Sequence, residues 1–425
     1  FVDNAGVTRV KAIPTAQLEH AVVHGVGMST VHDVFQVDDS ITTSRYIGGP
    51  VGDLRLRPDL DALTVLHAQP GWAWAPVDRW TKDGRPYRPD QRTFARRMVR
   101  AARDAGVTPR MGFEIEWYLA HPDGSPATLG PAYGMTRLME VGDYARDVLV
   151  ALAAEGVPVE QFHPEYAASQ FEVSTGPADP VTAADRVVLT RETIRAVSRG
   201  HGFRASFAPI PVADSVGNGM HVHLSLPAGG RADDGRNVFA GGTGPAGLTE
   251  RGASVIAELL ARLPAISAIT GPSVGSRMRA VPQRWAGTYQ CWGVENREAG
   301  LRFVPAADGA DQRAANVELK CVDGSANPYL VVGAVCAVVV DGLAGTRRLP
   351  AGLDVDPATL PPDRRPPRLP ETVEVALDAL AADTGLLEAL GPELVDAFRS
   401  VQLADAAWAE GQSAEDVVAA VRWRY

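Results

Sequence analysis

Three short stretches of the chain alternate apolar and ionisable residues. They are Phe113-Glu114-Ile115-Glu116-Trp117, Met220-His221-Val222-His223-Leu224 and Val317-Glu318-Leu319-Lys320-Cys321. Successive side chains of a β-strand point to opposite faces, so residues i and i+2 share one face. Each stretch reads as a strand with an apolar face and a face that carries charge. A fourth stretch places Glu165 and Glu172 on either side of Tyr166–Phe171. Ordinary alternating strands with a solvated polar side explain any one of these alone. Four of them in one domain, all carrying Glu or His, favour a gathered site, because charge in an apolar strand is costly unless paired or metal-bound.

Clustered carboxylates repel one another unless cations lie between them. Oxygen-rich ligation with a single His suits Mg2+ or Mn2+ better than zinc. Between the His stretch and Glu318 come Arg279, Arg297 and Arg302, and arginine suits carboxylate and phosphate recognition. Only three of the 41 basic residues are lysine: Lys11, Lys82 and Lys320. None is preceded by glycine and followed by Ser or Thr, which excludes a GxxxxGK[ST] phosphate loop. Metals, arginines and the missing loop together suggest ATP-dependent carboxylate activation by another architecture.

The chain has 425 residues, 45% of them hydrophobic, and a formal net charge of −10. That balance fits a globular protein and argues against general nucleic-acid binding, which needs a basic surface. Cys291, Cys321 and Cys336 form no CxxC pair, and a reducing, cytoplasmic setting is expected. The apolar run Leu330–Val340 is too short for a membrane span and reads as a buried helix behind an Asn327-Pro328 cap. The opening Phe1-Val2-Asp3 reads as the middle of a segment, with earlier residues missing.

Residues 1–88 read as short strands and turns, including Ala21–Val26, Ile41–Tyr46 and Leu63–His67, and the composition changes near Pro89. Helices are expected over Asp90–Ala105, Val141–Glu155, Pro180–Gly200 (with arginines on its polar face) and Thr249–Leu263. Strands are expected over Met111–Leu119, Gly219–Leu226 and Val317–Val322, with a strand pair inside Glu160–Ser174. Residues 342–370 read as a surface loop, and two or three helices follow Glu371. Two short motifs mislead. Gly242–Gly247 fits GxGxxG but holds a proline and follows no strand. Gly271–Gly275 fits GxSxG without the strand a nucleophile elbow needs.

The chain resembles the glutamine synthetase family over almost its whole length. Gly6, Arg9, Lys11 and Pro14 resemble the family's early G-x-x-R-G-K-x-x-P segment, with Val10 at the second glycine. Gly112–Glu116 resembles its E-x-E strand. His163-Pro164-Glu165 through Gln170-Phe171-Glu172 resembles its E…GQ-x-E element, with Ser169 at the glycine. Gly217–His223 resembles G-x-G-M-H-x-H. Arg279, Asn296-Arg297 and Arg302 match the spacing of its arginines, and Val317-Glu318 with Asn327-Pro328-Tyr329 matches E-x-R…NPY.

The resemblance implies an α+β fold, with a β-grasp domain over 1–88 and a catalytic α/β domain over 89–425. It implies a homo-oligomer, a dodecamer of two hexameric rings with active sites between subunits. Glu116, Glu165 and Glu172 would hold one Mg2+ or Mn2+, and Glu114, His221 and Glu318 a second, with two or three ions per site. His223 and Ser225 would face ATP. Arg279 and Gly217 would bind glutamate, and Arg297, Arg302 and Lys320 would act on the moving phosphoryl group. ATP would phosphorylate the γ-carboxylate of glutamate, and an amine would then displace phosphate.

The departures concern the amine. Ammonia-using members carry a flap glutamate six residues after the first arginine, where this chain has Trp285. They also carry an aspartate near the start that falls on Val37 when Ser40-Ile41 is aligned. Lys320 stands at an arginine and Val216 at an asparagine. Losing both carboxylates of the ammonium pocket points to an organic amine against an aromatic wall, as in the relatives that join glutamate to polyamines, ethanolamine, alkylamines or anilines. An ammonia-using glutamine synthetase and a catalytically inactive structural or regulatory relative are the alternatives.

Overall fold

The structure is a computed structural model that describes residues 1–228, 236–306 and 311–425. Near the N-terminus, strands β1 (Val26–Ser29), β2 (Asp53–Pro58) and β5 (Val77–Thr81) form a three-stranded antiparallel sheet, beside a two-stranded β3 (Thr64–Val65) and β4 (Ala73–Trp74) pair. Two of the strands expected here are absent. Residues 21–24 belong to the helix Leu18–His24, because Gly25 at φ 73° stops the helix before β1 begins. Val22 and Val23 look like strand residues, yet the Leu18–Ala21 turn decides their conformation. Ile41 makes one isolated bridge to Phe35, and the segment to Tyr46 then turns. Leu63–His67 shrinks to the two residues of β3.

A second sheet carries β6 (Arg110–Ala120), β7 (Val159–Pro164), β8 (Gln170–Thr175), β9 (Arg204–Ser206), β10 (Met220–Ser225), β11 (Tyr289–Val294), β12 (Ala299–Val304) and β13 (Asn316–Leu319). Its order is β11-β12-β13-β10-β6-β8-β7, with β9 also on β6. Every pair is antiparallel except β11 with β12. One face buries Phe113, Ile115, Trp117, Phe171, Val173, Met220, Val222, Leu224, Leu301, Phe303, Val317 and Leu319. Helices cover that face. The central one, Pro328–Ala344, packs on Gln91–Asp104, Pro180–Gly200 and Glu250–Thr270. It is apolar all round, as a helix enclosed by others must be. The Asn327 side chain caps it by accepting from the N–H groups of Tyr329 and Leu330.

Three helical expectations need correction. The helix expected to end at Leu263 continues through Pro264 to Thr270. Proline removes the bond to the Leu260 carbonyl, and the Gln290 amide supplies it instead at 2.9 Å. This helix is long and apolar enough to cross a membrane, but most of it is buried inside the fold. In Pro180–Gly200 the arginines are not all on a polar face, since Arg191 is buried against the Phe207 ring. Beyond Glu371 four helices form rather than two or three, because Asp383, Gly391 and Ser413 start new ones.

Candidate active site

The register of the second sheet brings the four charged stretches to one face. Across β10 and β6, His221 is paired with Glu114; across β10 and β13, His223 with Glu318. Glu318 is also paired with Arg302 on β12, Glu116 with Glu172 on β8, and Glu172 with His163 on β7. All of these lie opposite the apolar face that the helices cover. The alternation that makes each strand half apolar thus builds a continuous polar floor.

Three groups of side chains on this floor bring carboxylate and imidazole atoms within 4.8 Å of one another: Glu114, His221 and Glu318; Glu116, Glu172 and His221; His163, Glu165 and Glu172. The first coincides with one expected ligand set. The members of the second expected set, Glu116, Glu165 and Glu172, are spread over the other two groups. Glu116 and Glu165 do not share one group; Glu172 stands between them, joined to Glu116 through His221 on one side and to Glu165 through His163 on the other. His163 is thus a site residue that the sequence reading quoted without a role. Its place at the end of β7, two residues before Glu165, was the available signal.

Short contacts tie the floor together. His221 Nδ1 lies 3.1 Å from Glu114 Oε2 and 3.4 Å from Glu318 Oε1. His223 Nε2 lies 3.1 Å from Glu114 Oε1, and its Nδ1 is 2.8 Å from Asn316 Oδ1. Glu318 also receives Lys320 Nζ at 2.9 Å and Arg302 Nη1 at 3.0 Å. Arg279, buried, reaches His221 Nε2 at 3.3 Å. Glu116 Oε2 accepts from the Gln170 side-chain amide at 2.7 Å and from the Gly219 N–H at 2.9 Å. The same Gln170 amide donates to the Gly217 carbonyl at 2.9 Å. Gln170, part of the E…GQ-x-E element, has no role legible from sequence, because an amide among glutamates carries no charge pattern.

Two glycines are required by this crowding. A Cβ on Gly219 would lie 2.6 Å from His221 Nε2, 2.8 Å from Arg279 Nη2 and 2.9 Å from Glu116 Oε1. A Cβ on Gly217 would lie 2.0 Å from the Pro209 carbonyl oxygen. Ser225 ends β10 on the His221 and His223 face, away from these contacts.

The charge state of the floor is divided. Burial pushes Glu114 up, yet its contacts to His221 and His223 prevail and hold it well below the usual carboxylate range. Burial also opposes ionisation of Glu318, but Lys320 and the two histidines bring it down to about 2. Glu165 is lowered against burial by His163, the Tyr166 N–H and Tyr133. Burial raises Glu116, and burial together with Glu114, Glu116 and Glu165 raises Glu172 well above its ordinary value. Two negative charges about 4 Å apart repel by about 4 kcal/mol at an effective dielectric near 20. A proton relieves that repulsion on Glu172, and a cation held among these carboxylates relieves it equally. The donor set is mostly carboxylate oxygen with imidazole, which fits a hard divalent ion.

Trp285 and Arg297 form a separate end of the site. The Arg297 guanidinium lies 5.5 Å from the centroid of the Trp285 ring, and Trp285 is 50% exposed. Gln283 and Trp285 both hold left-handed backbone, at φ 64° and 52°. At the other expected carboxylate position, Val37 is buried in the core. Its neighbours do not replace it: Asp38 accepts from Ser40, and Asp39 is paired with Arg9 and Arg424.

Comparison with known proteins agrees with this geometry. Residues 1–86 match the model of the glutamine synthetase N-terminal domain, and residues 88–418 that of the glutamine synthetase catalytic domain. The chain is 50% identical over 435 residues to gamma-glutamylpolyamine synthetase GlnA3 of Streptomyces coelicolor, covering 100% of this chain and 92% of that one. It is 32% identical to a glutamine synthetase of Thermotoga maritima, over 84% of this chain and 82% of that one. Among solved structures, a novel glutamine synthase homolog superposes with a TM-score of 0.89 at 31% identity, covering 100% of this chain and 97% of the other. A GmaS/ADP complex does so with a TM-score of 0.84 at 27% identity, covering 98% and 94%.

Proposed function

The chain belongs to the glutamine synthetase family, and from that premise we propose that it joins the γ-carboxylate of glutamate to an organic primary amine, with cleavage of ATP and a γ-glutamyl phosphate intermediate. It is an ATP-dependent ligase. The observation that carries the choice of amine is Trp285 at the position of the flap carboxylate, with Val37 buried where the second carboxylate is expected. An ammonium pocket needs negative oxygen atoms; an indole face suits the carbon chain and charge of an organic amine. The relative at 50% identity carries a polyamine in its name.

In this reading Glu116, Glu165 and Glu172 hold one Mg2+ or Mn2+, and Glu114, His221 and Glu318 a second. Bound ions neutralise phosphate oxygens and lower the cost of transferring the γ-phosphoryl group. His163 orients Glu165 and Glu172. Gln170 fixes one oxygen of Glu116, leaving the other for the ion. Arg279 and the Gly217 backbone bind glutamate, His223 and Ser225 face ATP, and Arg297, Arg302 and Lys320 offset charge on the phosphoryl group. Lys320 and Arg302 already grip both oxygens of Glu318, so one carboxylate links phosphoryl-side cations to the metal floor.

The reading extends to a cytoplasmic enzyme, for which the three buried, unpaired cysteines are support, and to a dodecamer of two hexameric rings. Val10, Ile41 and Val51 are exposed apolar side chains of the N-terminal region that such an assembly would cover; light scattering that returns a monomer would remove this part. The function itself is tested by phosphate release from ATP and glutamate across a panel of amines that includes ammonium. Turnover with primary amines and little with ammonium is expected. Turnover with ammonium alone returns the chain to glutamine formation, and none with any amine favours an inactive relative.

A further inference from the structure

Glu298 is a buried carboxylate beside the Trp285 end of the site that the chemistry described so far leaves unused. It lies between Arg297 and β12, is 6% exposed, and has no cation within ion-pair distance among the described residues. Burial raises it above the usual carboxylate range. Both of its oxygens face the loop before β11. Oε1 accepts from the Trp285 N–H at 2.8 Å, and Oε2 from the Gln283 N–H at 3.2 Å. These are the two residues of that loop, neither of them glycine, whose φ is positive. Left-handed backbone is unfavourable for residues with a Cβ and persists only where surroundings hold it. Glu298 is itself held, since its N–H donates to Asn296 Oδ1 at 3.0 Å, and Asn296 donates to the carbonyls of Leu353 and Val355.

We propose that Glu298 is a positioning residue for amine selection: its carboxylate clamps two strained peptide N–H groups and fixes the loop that presents Trp285 beneath Arg297. The proposal rests on the reading of Trp285 as the wall of the amine site. Its consequence is specific. Loss of the clamp frees the Trp285 loop while leaving in place the ATP end of the site, built on β6, β8, β10 and β13, and the glutamate contacts Gly217, just before β10, and Arg279, on the helix Val274–Arg279. A charge-assisted clamp with two acceptors also differs in kind from packing, because an amide keeps only one acceptor oxygen.

The test compares Glu298→Ala, Glu298→Gln, Trp285→Ala and the double variant Gln283→Gly/Glu298→Ala, with putrescine, ethylamine and ammonium as acceptors. In Glu298→Ala, kcat/KM for the preferred amine falls about tenfold to a hundredfold, mainly through KM, while KM for ATP and glutamate stays at the wild-type value. Glu298→Gln falls in between, and it carries the test if the alanine variant does not fold. Glycine at 283 adopts positive φ without strain, so the double variant recovers part of the loss. An unchanged amine KM in both Glu298 variants, an equal rise in all three KM values, or no recovery in the double variant overturns the proposal. If Trp285→Ala changes amine preference while the Glu298 variants do not, only the clamp is wrong. If Trp285→Ala changes nothing either, the reading of Trp285 falls with it.

Discussion

Two buried networks of charge among the described residues are built differently. Where the N-terminal region meets the helix Gln91–Asp104, Arg79 is fully buried between Asp33 and Asp90. Arg92 beside it reaches Asp59, Asp78 and Asp185, each at 2.8 Å. Every carboxylate there touches a guanidinium. On the polar floor of the large sheet, Glu116 and Glu172 touch no arginine or lysine among the described residues; the basic side chains within 4 Å of them are the imidazoles of His221 at 4.0 Å and His163 at 3.8 Å. The first network is complete as it stands and holds two parts of the chain together. The second lacks positive charge at its centre, and that shortfall marks it as a place for ligands. Buried charge alone does not distinguish scaffold from site; local compensation does.

The largest effect that separates the two is on activity. Glu114→Ala is expected to reduce phosphate release at least about a thousandfold, since a metal contributes several kcal/mol to charge stabilisation, while solution size and melting behaviour stay near wild type. Full activity in that variant would remove the metal assignment. Next in size is stability. Arg79→Met leaves Asp33 and Asp90 buried without a partner and is expected to cost about 3–5 kcal/mol in denaturant unfolding. Glu172→Gln has the opposite sign: at pH 8, without divalent ions, it raises the melting temperature by about 1 °C, equivalent to about 1 kcal/mol in a chain of this length. A loss of stability there would mean that the floor is compensated like the first network.

The smallest effect is the pH dependence of that difference. Glu172 is raised in the folded protein, so the folded state binds more protons than the unfolded chain. Its contribution is favourable near the ordinary value of 4.5 and declines as pH rises toward the folded value. The advantage of Glu172→Gln over wild type therefore grows with pH above about 5 in metal-free protein, and vanishes when Mg2+ saturates the site. Differential scanning calorimetry across pH, with and without Mg2+, reads both. A gap independent of pH would show that Glu172 does not titrate against its neighbours.

Much of the polar floor was legible in the sequence because strand alternation is a local rule. Glu114 with Glu116, His221 with His223 and Glu318 with Lys320 each declare their shared face within five residues. Register is not local, and so the division of Glu116, Glu165 and Glu172 between two groups was not readable. His163 and Gln170 act through partners on other strands, and Glu298 through a loop whose positive φ values leave no trace in residue type at Gln283 and Trp285. The helix past Pro264 depends on Gln290, distant in sequence. The short N-terminal elements were misread where two valines outweighed a turn of helix. Trp285 was legible only as a departure, an aromatic residue where a carboxylate is expected.

The most direct measurement is a competition. The enzyme is given ATP, Mg2+ and glutamate with ammonium and putrescine at equal concentration, and the products are identified by mass. An organic-amine site predicts the γ-glutamyl amide of putrescine as the main product, in step with phosphate released. Glutamine as the main product would contradict it.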